Sequence, residues 1–210
     1  MFVESMSFEE IRKEFDRDKP ALASKMVHHS SSIMKQMRKT NMTHFEKYYD
    51  WVSPRKNRWT YHFELNGKVT GNNFLIRMYC LFFTERSYAV VVYSRDTDRV
   101  MYYTSHFFTR YFQREGLPRE DLHEIIRTFL AENNDLITQP MKLIQSDQYD
   151  SFIKMRTGAA FGTLHKTLNL LELRTFITND MLKGDQVALA KALEEKFQIG
   201  VRWKNQLEGN

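Results

Sequence analysis

The 210-residue chain has one cysteine, Cys80, and four prolines. A lone cysteine cannot close an internal disulfide, and a chain of this length buries roughly 70% of its unfolded surface, so no staple is expected to be needed. No run approaches the ~18 consecutive apolar residues that span a bilayer. The first residues, MFVESMSFEEIRKEF, are charged and helix-like rather than a secretory leader. These absences point to a cytoplasmic protein with no membrane partner. A phosphate loop is lacking too, since Gly158-Ala159-Ala160-Phe161-Gly162 has no Lys-Ser/Thr ending and lies among strand-like residues. His123-Glu124-Ile125-Ile126-Arg127 is one residue from a zincin pattern, but Arg127 stands where the second His would be, and a cation cannot ligate zinc. His28 and His29 point about 100° apart on a helix and have no carboxylate or Cys at ligand spacing. No metal or cofactor is therefore expected. Cys80 shares an alternating face with Phe74, Ile76, Met78 and Phe82, which makes it a core residue rather than a nucleophile. Glu194-Glu195 read as solvating charge on a last helix.

Apolar residues, by contrast, reach 42% and aromatics 14%, enough to exclude an intrinsically disordered chain. The net charge of +5 is unevenly spread. Residues 19–58 hold nine Lys and Arg against only Glu46 and Asp50, an excess of +7, so the rest of the chain is slightly acidic. The same segment contains Tyr48, Tyr49, Trp51 and Trp59. Cations neutralise phosphates and rings stack on bases, so Lys35, Arg38, Lys39, Arg55, Lys56 and Arg58 are candidate contacts to RNA or DNA. The other reading of this segment is a solvated helical face with its aromatics turned into the core.

Periodicity divides the chain further. Ser7 and Glu10 have capping-box spacing before the stripe Phe8, Ile11, Phe15. Lys19-Pro20 is expected to break that helix. A second helix from Pro20 would align Leu22, Met26, His29, Ile33 and Met37, and Thr43 with Glu46 predicts a third, short helix carrying Phe45, Tyr48 and Tyr49. From Trp59 the period becomes two. Strands are predicted at 59–65, 73–83, 87–93 and 99–103, with Asn66-Gly67 as a hairpin turn and TERS and SRDTD as the following connections. Residues 105–132 read as two helices split by Gly116-Leu117-Pro118, the second with Glu120 and Asp121 in its first turn and a Leu122, Ile125, Ile126, Phe129, Leu130 stripe. A polar loop with Asn133-Asn134 and Pro140 precedes strands at 152–156, 159–165 and 170–178. A final helix from Asp185 to about Gln198 carries Val187, Ala190, Leu193 and Phe197. The expected fold is α+β: an antiparallel sheet with N-terminal helices, a central helix pair and a C-terminal helix. One domain, 1–210, is expected, with a helical N-terminal extension (1–57) and a sheet-containing core (58–200).

The densest polar cluster is His106, Arg110 and Arg114, whose spacing of four puts all three on one helical face. Guanidiniums clamp phosphate, and a histidine of near-neutral pKa moves protons, which is what metal-free RNA cleavage through the 2′-hydroxyl requires. Alternatively His106 sits in a first helical turn and the arginines pair with carboxylates elsewhere. A strand, then His-x3-Arg-x3-Arg, then Gly116 and an amphipathic helix, resembles the small ribonuclease-toxin superfamily that groups RelE-like with barnase-like and colicin-like nucleases, especially its phage and mobile-element relatives. The resemblance covers about residues 100–178, including Phe161-Gly162-Thr163 and Arg174-Thr175. It implies a metal-independent ribonuclease with His106 as acid/base, Arg110 and Arg114 as phosphate clamps and Thr175 as an auxiliary donor. Two further readings stand beside it. One is a non-enzymatic nucleic-acid-binding or mobile-element accessory protein; the other is an interaction module whose aromatic faces bury against a protein partner or a second copy.

Overall fold

A computed structural model describes residues 1–40, 43–66, 74–85, 87–95, 97–117, 121–133 and 136–208. Gly67, Asn73, Arg86, Asp96, Pro118, Glu120, Asn134 and the side chain of Phe197, all named above, lie outside the described residues. The chain divides into two compact units, the first comprising Met1–Tyr102 with Leu168–Leu170, the second Tyr103–Thr167 with the chain from Leu171 onward.

The first unit begins with α1 (Phe8–Thr40). Its start is the capping box: the Ser7 N–H donates to Glu10 Oε2 at 2.8 Å and the Glu10 N–H to Ser7 Oγ at 3.2 Å. The expected break at Pro20 does not occur, and Pro20 lies inside one helix of 33 residues, about 50 Å long. An interior proline costs roughly 3 kcal/mol, but the buried Asp18 and Leu22 on either side anchor the helix to its sheet and outweigh that loss. The predicted third helix is also corrected. Residues His44–Val52 form strand β1, so the 1–57 segment is not helical throughout. Strands β2 (Arg58–Asn66), β3 (Phe74–Phe83), β4 (Tyr88–Ser94) and β5 (Arg99–Tyr103) follow. They lie in the order β1-β2-β3-β4-β5, and the first three pairings are antiparallel. The anticipated four-stranded meander therefore has a fifth strand at its edge.

Apolar residues of α1 (Ile11, Phe15, Leu22, Ile33, Met37) pack on Phe45, Trp59, Tyr61, Phe63, Leu65, Cys80 and Val91. Cys80 is core as expected, and burial pushes its thiol pKa up. One end of this interface is polar. Asp18 Oδ2 accepts from Trp59 Nε1 at 2.9 Å and Asn57 Nδ2 at 2.7 Å, and Asn57 Nδ2 also reaches Glu14 Oε1 at 3.1 Å. Burial would raise the Glu14 pKa. Hydrogen bonds from Arg55, the Met1 ammonium and Asn57 more than offset this and bring it from the ordinary 4.5 to about 2. A depressed carboxylate contributes stability that is complete above its unfolded pKa and is lost as pH falls through the folded one. The urea midpoint is thus expected to fall between pH 5 and pH 2, by the equivalent of about 3 kcal/mol, and Glu14→Gln should flatten that dependence. A Gln variant as acid-sensitive as the parent would refute this assignment.

The three residues Leu168–Leu170 complete the first unit. The Val100 N–H donates to the Asn169 carbonyl at 3.1 Å, Asn169 Nδ2 donates to the Thr97 carbonyl at 2.9 Å, and Leu170 is fully buried in the core.

The second unit holds α2 (Ser105–Glu115), α3 (Leu122–Glu132), β6 (Ile137–Gln145), β7 (Gln148–Lys154), β8 (Gly158–His165), β9 (Leu170–Thr178) and α4 (Asp185–Glu208). The strand order is β9-β8-β7-β6. The helix pair was legible in sequence; β6 was not, and α4 runs beyond Gln198. Thr104 caps α2 by accepting from the Phe107 N–H, and Gly116, at φ 63°, ends it in the left-handed conformation glycine tolerates. Helix α2 packs Phe107 and Tyr111 on Phe129 of α3 and Phe176 of β9. Ala190 and Leu193 of α4 instead join Phe152, Ala159, Phe161 and Ile177. Glu194 is not merely solvating, because its carboxylate meets the buried ammonium of Lys154 at 3.0 Å and ties α4 to β7.

Candidate functional site

The His-Arg-Arg strip of α2 is partly assembled. His106 and Arg110 are exposed on one face, with Arg110 Nε donating to His106 Nε2 at 3.4 Å and Arg110 Nη1 donating to Gln113 Oε1 at 3.2 Å. Arg114, however, turns away from the strip and donates to the carbonyl of Phe176, where it fastens the end of α2 to β9. Thr175 is not brought to the strip at all. Phe176 faces the α2–α3 aromatics, while Ile177 packs with α4, so strand alternation puts Thr175 on the face opposite His106. The four residues implied by the resemblance therefore reduce to one adjacent pair, His106 and Arg110. Gly162, the glycine of Phe161-Gly162-Thr163, has a packing role of its own: a Cβ there would collide with the Glu172 carbonyl oxygen.

The six basic candidates of the first unit separate into two groups. Lys35, Arg38 and Lys39 are exposed on the last turns of α1. Arg55, Lys56 and Arg58 lie at the β1–β2 turn, the far end of β1, and a nine-residue strand spans about 27 Å. Arg55 is held by Glu14, with Nη2 to Oε2 at 2.7 Å, whereas Lys56 and Arg58 are exposed.

Sequence reading missed what joins α1 to β1. Phe45, Lys47, Tyr49 and Trp51 alternate along β1 toward α1, with Phe45 buried and Tyr49 and Trp51 half-buried against the same core. Lys47 Nζ lies 4.9 Å from the Tyr49 ring centre, and His29 of α1 stacks on the same ring at 4.5 Å. Burial first, then the charges of Lys25 and His28, hold the His29 pKa below its ordinary value, so this stack contains a neutral imidazole at pH 7. The two other aromatics noted in sequence play different parts. Trp59 is fully buried, and Tyr48 stacks on His62 at 4.1 Å.

Between Asp18 and Glu46 the chain has no carboxylate, while it carries Lys25, Lys35, Arg38 and Lys39, as well as Lys19, which pairs with Asp98 at 2.6 Å. Among the described residues no cluster of three or more His, Cys, Asp or Glu could hold a metal ion, and no helix is long and apolar enough to cross a membrane. No family model, curated protein or solved structure matches the chain.

Proposed function

We propose that the protein binds single-stranded nucleic acid without cleaving it, through the α1–β1 edge of its first unit. The observation that carries this reading is the half-buried Tyr49, stacked by His29 and capped by Lys47, beside the later turns of α1, where Lys25, Lys35, Arg38 and Lys39 follow one another with no carboxylate between them. A base of any identity would stack on the part of Tyr49 and of its half-buried neighbour Trp51 that the core leaves uncovered, displacing Lys47 from the Tyr49 ring, and Lys25, Lys35, Arg38, Lys39 and Lys47 supply phosphate contacts along the same edge. A labelled 20-nucleotide RNA, followed by fluorescence anisotropy, is expected to bind with a slope of log K against log salt of about −3.5, the value for five phosphate contacts to a single strand. The Lys35→Glu, Arg38→Glu, Lys39→Glu triple variant should bind at least about tenfold more weakly and with a shallower slope. Unchanged affinity in that variant would sink the proposal.

A nuclease reading keeps one supporting observation, the contact of Arg110 with His106 on an exposed face. The same RNA, incubated in EDTA, separates the two. Intact RNA is the outcome expected for binding alone, whereas cleavage lost in His106→Ala would replace it with the ribonuclease assignment.

A further inference from the structure

We propose a second site in the first unit, a cavity that takes a small organic carboxylate with an apolar body. A cavity of about 340 Å³ lies between the first four residues, the β1–β2 turn and the end of β3, a volume within the range of small-molecule sites. Its walls include Val3, Leu81, Phe82 and Phe83, and Phe83 is 70% exposed, a large aromatic surface that water covers at a cost. Its charged side chains are two cations, Lys56 and Arg58, and one carboxylate, Glu4. Lys56 and Arg58 are exposed at the turn, and among the described residues neither forms an ion pair. The carboxylate of Glu4, also on the wall, is already occupied as the acceptor of the Glu85 N–H at 2.8 Å.

A second observation concerns the backbone. Lys56 has φ 65°, the left-handed region that a lysine adopts only against its steric preference. Glycine would fit that turn without strain, yet a cation stands there at the mouth of an apolar hollow. Backbone strain clusters at ligand-binding sites, where it holds a side chain in place. Apolar walls with two cations beside them match an aryl or alkyl carboxylate: the hydrocarbon displaces water from Phe82 and Phe83, and the anion meets Lys56 and Arg58. A neutral alcohol would gain only the first of these, and an amine would be repelled.

Octanoate and octanol, titrated by calorimetry into the full chain at 150 mM salt, test this directly. Octanoate is expected to bind at one site about tenfold more tightly than octanol. Lys56→Gly removes the cation while easing the turn, so it should fold at least as well as the parent and lose most of that preference. Phe83→Asp, at an exposed position, should abolish binding of both compounds. Equal affinity for alcohol and carboxylate would overturn the charge assignment, and octanoate binding undiminished in Phe83→Asp would overturn the site. The Lys35, Arg38, Lys39 variant should bind octanoate as the parent does, which separates failure of this proposal from failure of the nucleic-acid reading.

Discussion

Replacing Asp18 by alanine is expected to lower the stability of the first unit by about 2–5 kcal/mol, the cost of leaving two buried donors without their acceptor at roughly 1–3 kcal/mol each. Asp18 is 1% exposed, and its Oδ2 accepts from both Trp59 Nε1 and Asn57 Nδ2. Alanine would leave both donors in a site closed to water, beside Glu14, which shares Asn57. Asparagine keeps an acceptor for them but places its amide donors where Asp18 Oδ1 has no partner, so a smaller loss of about 1–3 kcal/mol is expected. The urea midpoint followed by tryptophan fluorescence should therefore rank the parent above Asp18→Asn, and Asp18→Asn above Asp18→Ala. An alanine variant as stable as the parent would show that α1 is not anchored here. The same anchor explains why Pro20 does not interrupt α1, since Asp18 and Leu22 hold the chain helical on both sides of it.

Gly162→Ala should be the most damaging single methyl in the second unit. The added Cβ would collide with the Glu172 carbonyl oxygen and lie 3.3 Å from the Leu173 Cα, and neither is the end of a flexible side chain that could yield. Strands β8 and β9 would have to separate, at a cost of about 3 kcal/mol, the upper part of the range for overpacking. Amide exchange along β8 and β9 should quicken accordingly. Gly116→Ala makes a useful contrast, because nothing lies within 4 Å of a Cβ there and only the left-handed φ of 63° resists, roughly 1–2 kcal/mol. Equal exchange in Gly162→Ala and the parent would refute the packing argument.

Much of the fold could be read directly from the residues where local pattern and tertiary environment agree. Trp59, Tyr61, Phe63 and Leu65 alternate because one face of β2 meets α1, and the stripe of α3 exists because Ile126, Phe129 and Leu130 are buried. Two strands were hidden for different reasons. In β1 the Thr43–Glu46 spacing imitates a helix cap, although the alternation of Phe45, Lys47, Tyr49 and Trp51 was available as the competing signal. In β6 the proline argues against a strand, but Pro140 occupies an edge whose pairing slips between Pro140 and Lys142 and again between Leu143 and Gln145. An edge strand with irregular pairing can omit an N–H that a central strand needs.

Site prediction divided along the same line. The adjacency of His106 and Arg110 follows from helical spacing alone, and it was found. Arg114 and Thr175 depend on where β9 lies and which way each of its residues faces, which no spacing within α2 encodes. The cavity at Phe83 draws on three distant segments and leaves no local trace, apart from a lysine in a turn that glycine would suit.

The placement of Leu168–Leu170 among the first unit's residues has a consequence for how the chain is made. Leu170 fills that unit's core, and Asn169 ties down the turn between β4 and β5, yet the ribosome delivers both some 65 residues after Tyr102. Domains usually fold in order as they emerge. Here the amino-terminal unit lacks Leu170 and the Asn169 tie until most of its successor has been synthesised, and a fragment that stops at residue 102 should be measurably less stable than the same unit in the full chain.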